Sequence, residues 1–410
     1  MKQLSIVIAA AALLASVASQ PAPAQGAVSA KARALHERVL TLDTHLDTTA
    51  KMDDPNWSVM DRHPVSDSQV DFPRMKEGGL DGGFWVIYTG QQGRTAEDYR
   101  VARDNGLKRL INIRKMIAAH PEFELALTAD DARRIAAAGK SVAFISMENA
   151  SPLTTDPVSL LRFYYSQGLR MLSLVHTSNN EFADSANTPP EWQGMSPAGR
   201  ELVVEANRLG IVIDQSHASD AVFDQMLELS KAPIILSHSG AADVYDHPRN
   251  IDDARLKRLA AKGGVIQMNA LGAYLIDTGE TPAIRAELRT AMAKFTSMPT
   301  GPERDRAVAA ARAEVFKRNN AKEATLDDYL RHVDHVLNLI GPDHVGFGAD
   351  WDGGGGVIGL EDITSLPKIT QWLLDRGYTE QQIANIWSGN VLRVVDAAQK
   401  VARQLQTPAQ

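Results

Sequence analysis

His45, Asp47, Glu148, His176, His217, His238 and Asp350 all stand at or near the end of a short apolar run. All seven are residue types that bind metals or move protons. In Asp43-Thr44-His45-Leu46-Asp47 the histidine and second aspartate are two apart. Extended chain places such neighbours on one face, where they can share an ion. Glu148 closes the run Ser141 to Glu148. An ionised carboxylate there is costly unless it is paired or bound to a cation. His217 and His238 end Gln215-Ser216-His217 and Leu236-Ser237-His238, each directly after a serine, and their similar placement favours a shared ion. These five side chains exceed the three protein ligands of a simple catalytic zinc. They suit two Zn²⁺ ions bridged by one carboxylate, a centre that generates hydroxide near neutral pH and polarises a carbonyl.

Three residues remain for the substrate. Asp350, in Gly348-Ala349-Asp350-Trp351-Asp352-Gly353, is placed to carry a proton from water to a leaving amine. His176 is placed to hydrogen-bond a developing oxyanion. Arg249, in Asp246-His247-Pro248-Arg249-Asn250, offers a guanidinium fork to a substrate carboxylate. Asp43 fits a partner that orients the histidine or a turn residue, and Asp352 fits a turn former ahead of Gly353 to Gly356.

These residues need a frame that gathers strand ends. Eight runs supply it: Val39 to His45, Gly82 to Tyr88, Ser141 to Glu148, Met171 to His176, Gly210 to His217, Ala232 to His238, Gly263 to Asn269 and His344 to Asp350. Continuous Val/Ile/Leu runs mark buried parallel strands, and helical stretches lie between most of them. The expected fold is a (β/α)₈ TIM-type barrel of the metal-dependent hydrolase kind, with its active site at the C-terminal strand ends.

Between the first and second runs, Lys51 to Gly79 is a polar excursion containing Pro55, Pro64 and Pro73. Between the seventh and eighth, residues 271–325 form a helical insertion, with helices expected over Pro282 to Ser297 and Pro302 to Asn319. A surface hairpin and a lid or oligomer contact are both compatible with that pattern. Helices are also expected over Ala30 to Val39, Ala96 to His120, Ala129 to Ala138, Pro197 to Leu209, Leu326 to Leu339 and Thr379 to Ala398. Thr128 and Ser196 are the expected N-caps of the third and fourth of these.

Lys2, the apolar stretch Leu4 to Val17 and Ala22-Pro23-Ala24 form a secretory signal pattern over residues 1–24, leaving 25–410 as one domain. Export to the periplasm or beyond is therefore expected, with no stable membrane insertion after signal removal. The chain has no cysteine, so stability must come from its core. The formal net charge is −7 and the basic residues are scattered, which argues against a nucleic-acid surface.

In order along the chain, the following segments resemble the membrane dipeptidase (renal dipeptidase) family of zinc peptidases, peptidase family M19. They are Asp43 to Asp47, Val70 to Met75, Ser146 to Glu148, Gly168 to Arg170, Leu174 to His176, Gly194 to Arg200, Asn207 to Gly210, Asp214 to His217, Ser237 to Ser239, His247 to Asn250, Gly348 to Gly353 and Gly389 to Arg393. The resemblance implies that His45 and Asp47 bind one zinc, His217 and His238 the other, and Glu148 bridges them. It implies that His176 contacts the carbonyl or tetrahedral intermediate, Arg249 holds the C-terminal carboxylate and Asp350 is the acid/base. It further implies small peptide substrates, including some with a C-terminal D-residue, and a homodimer. A related dizinc amidohydrolase acting on another amide, lactam or ester is the alternative. A non-catalytic metal-binding scaffold is a weaker rival, because every site position is intact. Three departures stand out. Asn149 follows Glu148 where the family often has Gly, Trp351 stands where Phe is common, and the insertion is longer than in mammalian members.

Overall fold

The computed structural model describes residues 27–90, 93–295, 298 and 302–407. The expected signal segment lies outside the described residues. The apolar runs form strands β1 (Leu42–Leu46), β2 (Gly82–Tyr88), β4 (Ser141–Glu148), β5 (Leu169–Ser173), β6 (Val212–Asp214), β7 (Ile235–Ser239), β8 (Val265–Met268) and β9 (Val345–Phe347). A ninth strand, β3 (Phe123–Leu125), had no run to announce it. All are parallel, in the order β1-β2-β4-β5-β6-β7-β8-β9, with β3 beside β4. β3 pairs with the first half of β4 and β5 with the second half, so one long strand serves two partners on the same side.

The sheet comes round nearly to a closed barrel. No ladder joins β9 to β1; a single bridge between Leu46 and Trp351 spans the seam. The Asp47 N–H donates to the Trp351 carbonyl at 3.0 Å there. Thr44 Oγ1 reaches across the interior to the Ser237 carbonyl at 2.6 Å.

Alternation along β4 shows how the core is divided. Ala143, Ile145 and Met147 pack in the cluster that includes the surrounding helices. Val142 and Phe144 belong to a second cluster with Leu42, Phe84, Met171, Val212, Ile235 and Val265. Phe84 stacks on Phe144 at 4.6 Å, and the final helix (Asn390–Gln406) adds Val391, Leu392, Val394, Val395 and Ala398. Period-two geometry carries the Val142 and Phe144 face upward through Ser146 to Glu148. The barrel is thus apolar below and polar at the rim.

The expected N-caps are present: Thr128 caps Ala129–Ala137, and Ser196 caps Pro197–Leu209 with Pro197 in the first turn. The last expected helix is not continuous. Glu380–Ala384 passes through a π-turn at Asn385–Gly389 before the final helix begins. The polar excursion also holds structure the proline count obscured, a helix over Phe72–Gly78. Asp71 caps it by accepting the Arg74 N–H at 2.8 Å, and Pro73 sits where its missing N–H costs nothing.

The insertion's helices are Pro282–Ala293 and Pro302–Arg318, packed against each other. Arg318 and Asn319 both reach Glu287. Just before them, Gly272–Tyr274 forms a short turn at the barrel mouth. Among the described residues no helix is long and apolar enough to cross a membrane.

Candidate active site

Glu148 stands at the top of the inward face of β4, and its two oxygens look in two directions. Oε2 lies 3.4 Å from His45 Nε2. Oε1 lies 2.9 Å from His217 Nε2 and 3.3 Å from His238 Nε2. On the Oε2 side, Asp47 Oδ2 is 3.4 Å from His45 Nε2 and Asp350 Oδ1 is 4.0 Å from it. On the other side, the His176 ring packs 4.2 Å from that of His217. The seven strand-end residues therefore converge around one carboxylate. The donor atoms of His45, Glu148 and His238, of Glu148, His176 and His217, and of His45, Asp47 and Asp350 all lie within 4.8 Å in each set.

Strand alternation alone does not explain this gathering. Asp47 is not on the strand, as its spacing suggested, but opens a 3-10 turn (Asp47–Asp53) that brings it back beside His45. His217 and Asp350 lie beyond their strands at φ 70° and 66°. Asn149 and Asp352, adjoining the site, have φ 67° and 64°. Left-handed backbone at non-glycine residues costs energy and concentrates where a site dictates geometry. β6 ends at Asp214, and His217 follows three residues beyond it.

The donor set fits metal ions. His45 Nε2, Asp47 Oδ1 and Glu148 Oε1 are buried without a hydrogen-bond partner. Leaving such atoms unsatisfied costs about 1–3 kcal/mol each. His217 Nε2 and His238 Nε2 face each other at 2.9 Å. Imidazole nitrogens and carboxylate oxygens converging in this way are the ligands that zinc and similar ions take.

Charge leads to the same place. Burial pulls the His45 imidazole down, but Glu148 and Asp47 outweigh it and hold the ring well above its ordinary value. The carboxylates thus demand positive charge among them. Burial, aided by Arg249, pushes His217 well below the ordinary value; His238 is likewise lowered by burial, with His45 and Arg249 adding to it. Neutral imidazole is the form that ligates. Burial, against the pull of His45 and reinforced by Asp47 and Glu148, drives the Asp350 carboxyl well above the carboxylate range. Asp350 is accordingly the carboxyl best able to hold a proton.

Arg249 is 4% exposed. Its Nη1 donates to Ser239 Oγ at 3.1 Å and its Nη2 to the His238 carbonyl at 2.9 Å. Nε is buried without a partner, and no ion pair to a carboxylate is found for it among the described residues. The ring of Tyr274, from the turn that begins the insertion, lies 5.5 Å away. A buried guanidinium with free N–H groups is a receptor for an anion. Gly353 forms the floor between the two outer carboxylates: a Cβ there would lie 2.2 Å from both Asp350 Oδ1 and Asp47 Oδ2.

Three residues contribute to the site beyond what the sequence suggested for them. Tyr88, the last residue of β2, packs edge-to-face with His176, their ring centroids 5.0 Å apart. Asn149 ties three loops together. Its Nδ2 donates to the Thr89 carbonyl at 2.9 Å, and its Oδ1 accepts from Ser151 Oγ at 2.8 Å and Asn180 Nδ2 at 3.0 Å. Asp352 proves to be a staple as well as a turn residue. Its carboxylate accepts from Thr48 Oγ1, Ser68 Oγ and the Gln69 N–H at 2.6, 2.9 and 2.7 Å, pinning the excursion to the rim. An Asn or Asp beside a ligand was the available signal, since these tolerate left-handed backbone.

The sequence model of the membrane dipeptidase family (Peptidase family M19) matches residues 29–409. The chain belongs to that family. This dipeptidase is similar to Dipeptidase aclJ of Aspergillus oryzae, with 31% identity over 345 residues, covering 82% of this chain and 72% of the relative. Among solved structures it is similar to the probable dipeptidase PvdM from Pseudomonas aeruginosa. That match has a TM-score of 0.77 and 29% identity, covering 91% of this chain and 98% of the other. A metallo peptidase from Rhodobacter sphaeroides, liganded with a phosphinate mimic of the dipeptide L-Ala-D-Ala, matches with a TM-score of 0.70 and 25% identity. It covers 88% of this chain and 99% of the other. The protein is a metallo-dipeptidase, a hydrolase on a TIM-type barrel.

Proposed function

We propose that this dipeptidase hydrolyses dipeptides, including those with a C-terminal D-residue, at a centre of two Zn²⁺ ions. His45 and Asp47 would hold one ion, His217 and His238 the other, and Glu148 would bridge them. The observation that carries the reading is the Glu148 carboxylate, with Oε2 turned to His45 and Oε1 to His217 and His238. When bound, the ions supply Lewis acidity, which polarises a carbonyl and makes water a nucleophile near neutral pH. The phosphinate mimic of L-Ala-D-Ala bound to the Rhodobacter sphaeroides relative supports the D-residue part.

The chain's own residues do the rest. The free N–H groups of Arg249 receive the substrate α-carboxylate, which fixes how far the scissile carbonyl can sit from it. His176, kept neutral chiefly by burial, donates an N–H to the carbonyl oxygen as charge develops. Asp350 accepts a proton from the attacking water at its carboxylate oxygen and passes it to the departing amine nitrogen. Tyr88 and Tyr274 border the same space and restrict water. One domain over 25–410, including the 271–325 insertion, and an exported location complete the proposal. Lys2, the apolar run Leu4 to Val17 and Ala22-Pro23-Ala24 support export.

The test is hydrolysis of a panel of L-Xaa-L-Xaa and L-Xaa-D-Xaa dipeptides before and after chelation. Release of amino acids that chelation abolishes and zinc restores is the expected result. No release from any dipeptide by zinc-loaded protein would refute it.

A further inference from the structure

Of the two histidines proposed as ligands on the Oε1 side of Glu148, His217 and His238, one has its ring fixed from behind and the other does not. The His217 Nδ1 is buried without a partner. The His238 Nδ1 lies 2.9 Å from Ser237 Oγ, and that hydroxyl lies 2.5 Å from Asp214 Oδ2. Asp214 Oδ1 also accepts the backbone N–H groups of Ser216 and Ser237, each at 2.9 Å. All three residues are buried.

The proton positions follow from counting donors. Two obligate donors, the Ser216 and Ser237 backbone N–H groups, converge on Asp214 Oδ1, which marks the group as a carboxylate acceptor; its Oδ2 lies closer to Ser237 Oγ, at 2.5 Å, than Ser216 Oγ does, at 3.3 Å. The Ser237 hydroxyl has a single proton, and the carboxylate takes it. Ser237 Oγ can then only accept from His238, so the proton on that ring belongs to Nδ1. His238 Nε2 is left with its lone pair turned toward Glu148 and His217. The geometry points to Asp214 and Ser237 as positioning residues that set the tautomer of His238 and so prepare one of the two metal sites. This inference rests on the reading of His238 as a ligand. Outer partners of this kind are worth roughly 10- to 100-fold in metal affinity.

An isosteric change gives the sharpest test. In Asp214→Asn, the amide oxygen can keep both backbone N–H groups while the amide NH₂ faces Ser237 Oγ. The hydroxyl proton is then free to point at His238 Nδ1, which favours the tautomer with hydrogen on Nε2, the wrong form for ligation. Ser237→Ala removes the bias without inverting it. A role confined to packing gives the opposite order, since asparagine preserves the aspartate's shape.

Metal-free wild type, S237A and D214N are titrated with Zn²⁺ against a chromophoric chelator, with circular dichroism to confirm folding. The expected result is two ions in wild type, with one site weakened roughly 10- to 100-fold in S237A and further still in D214N. S237A with wild-type affinity at both sites overturns the inference, even if D214N fails to fold. So does a D214N that binds more tightly than S237A. Wild type that takes fewer than two ions instead contradicts the dinuclear reading itself, so the two failures are distinguishable.

Discussion

Asp43 on β1 accepts the backbone N–H of Ala349, the residue before Asp350, at 3.0 Å, and that of His45 at 2.8 Å. One carboxylate thereby joins the two strand ends that no ladder connects and fixes a histidine and a carboxylate of the site together. Its removal in Asp43→Ala leaves two buried N–H groups unsatisfied, at about 1–3 kcal/mol each. Chemical denaturation should show a loss of about 2–6 kcal/mol. A midpoint within error of wild type would show that the Leu46–Trp351 bridge closes the barrel unaided.

Gly353 lacks a Cβ because two carboxylates occupy its place. In Gly353→Ala, Asp47 and Asp350 must both move, since the added carbon would lie 2.2 Å from each. Displacements of this size in a reacting constellation cost roughly 100-fold in rate. kcat should fall by about that factor, with a much smaller change in thermal stability. An alanine variant with wild-type kcat would mean that neither carboxylate is held where the chemistry needs it.

Arg249 faces the site without a carboxylate of its own. Arg249→Ala should lower kcat/KM on dipeptides by roughly 10²- to 10³-fold, equivalent to about 3–4 kcal/mol. The loss should be small for substrates whose C-terminus is amidated or esterified. Arg249→Lys should rescue little, because an ammonium cannot reproduce the fork. Equal losses on charged and neutral C-termini would rule out the carboxylate role.

Two histidines away from the centre set an acid limit on stability. His332 Nδ1 accepts the Ala241 N–H at 3.1 Å while its Nε2–H donates to the Leu275 carbonyl at 3.0 Å, so only the neutral ring fits. Burial lowers its pKa from 6.5 to about 4. Burial also lowers His36, beside Gly78 and Thr370, to about 4. A folded pKa below the unfolded one gives stability that is full above pH 6.5 and is lost as pH falls toward about 4. Each ring contributes about 3 kcal/mol at most. Hydrogen exchange at Ala241 should accelerate across that window beyond its intrinsic pH dependence, and unfolding midpoints should drop. Unchanged protection at Ala241 down to pH 4.5 would contradict this.

The chain's metal-ligand types at strand ends were legible because a parallel barrel leaves two simple marks, unbroken apolar runs and polar termini. His45, Glu148 and His238 lie on β1, β4 and β7, where those marks put them. What was not legible depends on backbone leaving the ladder. Asp47 reaches the site from a 3-10 turn, and His217 and Asp350 do so through left-handed residues that no periodicity encodes. β3 escaped notice because three residues, Phe123–Leu125, carry too little pattern. Asn149 drew notice only as a departure from the family's glycine. Its positive φ explains why glycine serves there, and its side-chain bonds to Thr89, Ser151 and Asn180 show what asparagine adds.

The central claim is that Glu148 holds two ions that act together. Stepwise addition of Zn²⁺ to metal-free enzyme, with bound metal and alanyl-alanine hydrolysis followed in parallel, tests it most directly. The account predicts little turnover at one equivalent, full turnover at two, and Glu148→Gln unable to reach either endpoint. Full activity at a single equivalent, or an active Glu148→Gln enzyme, would contradict it.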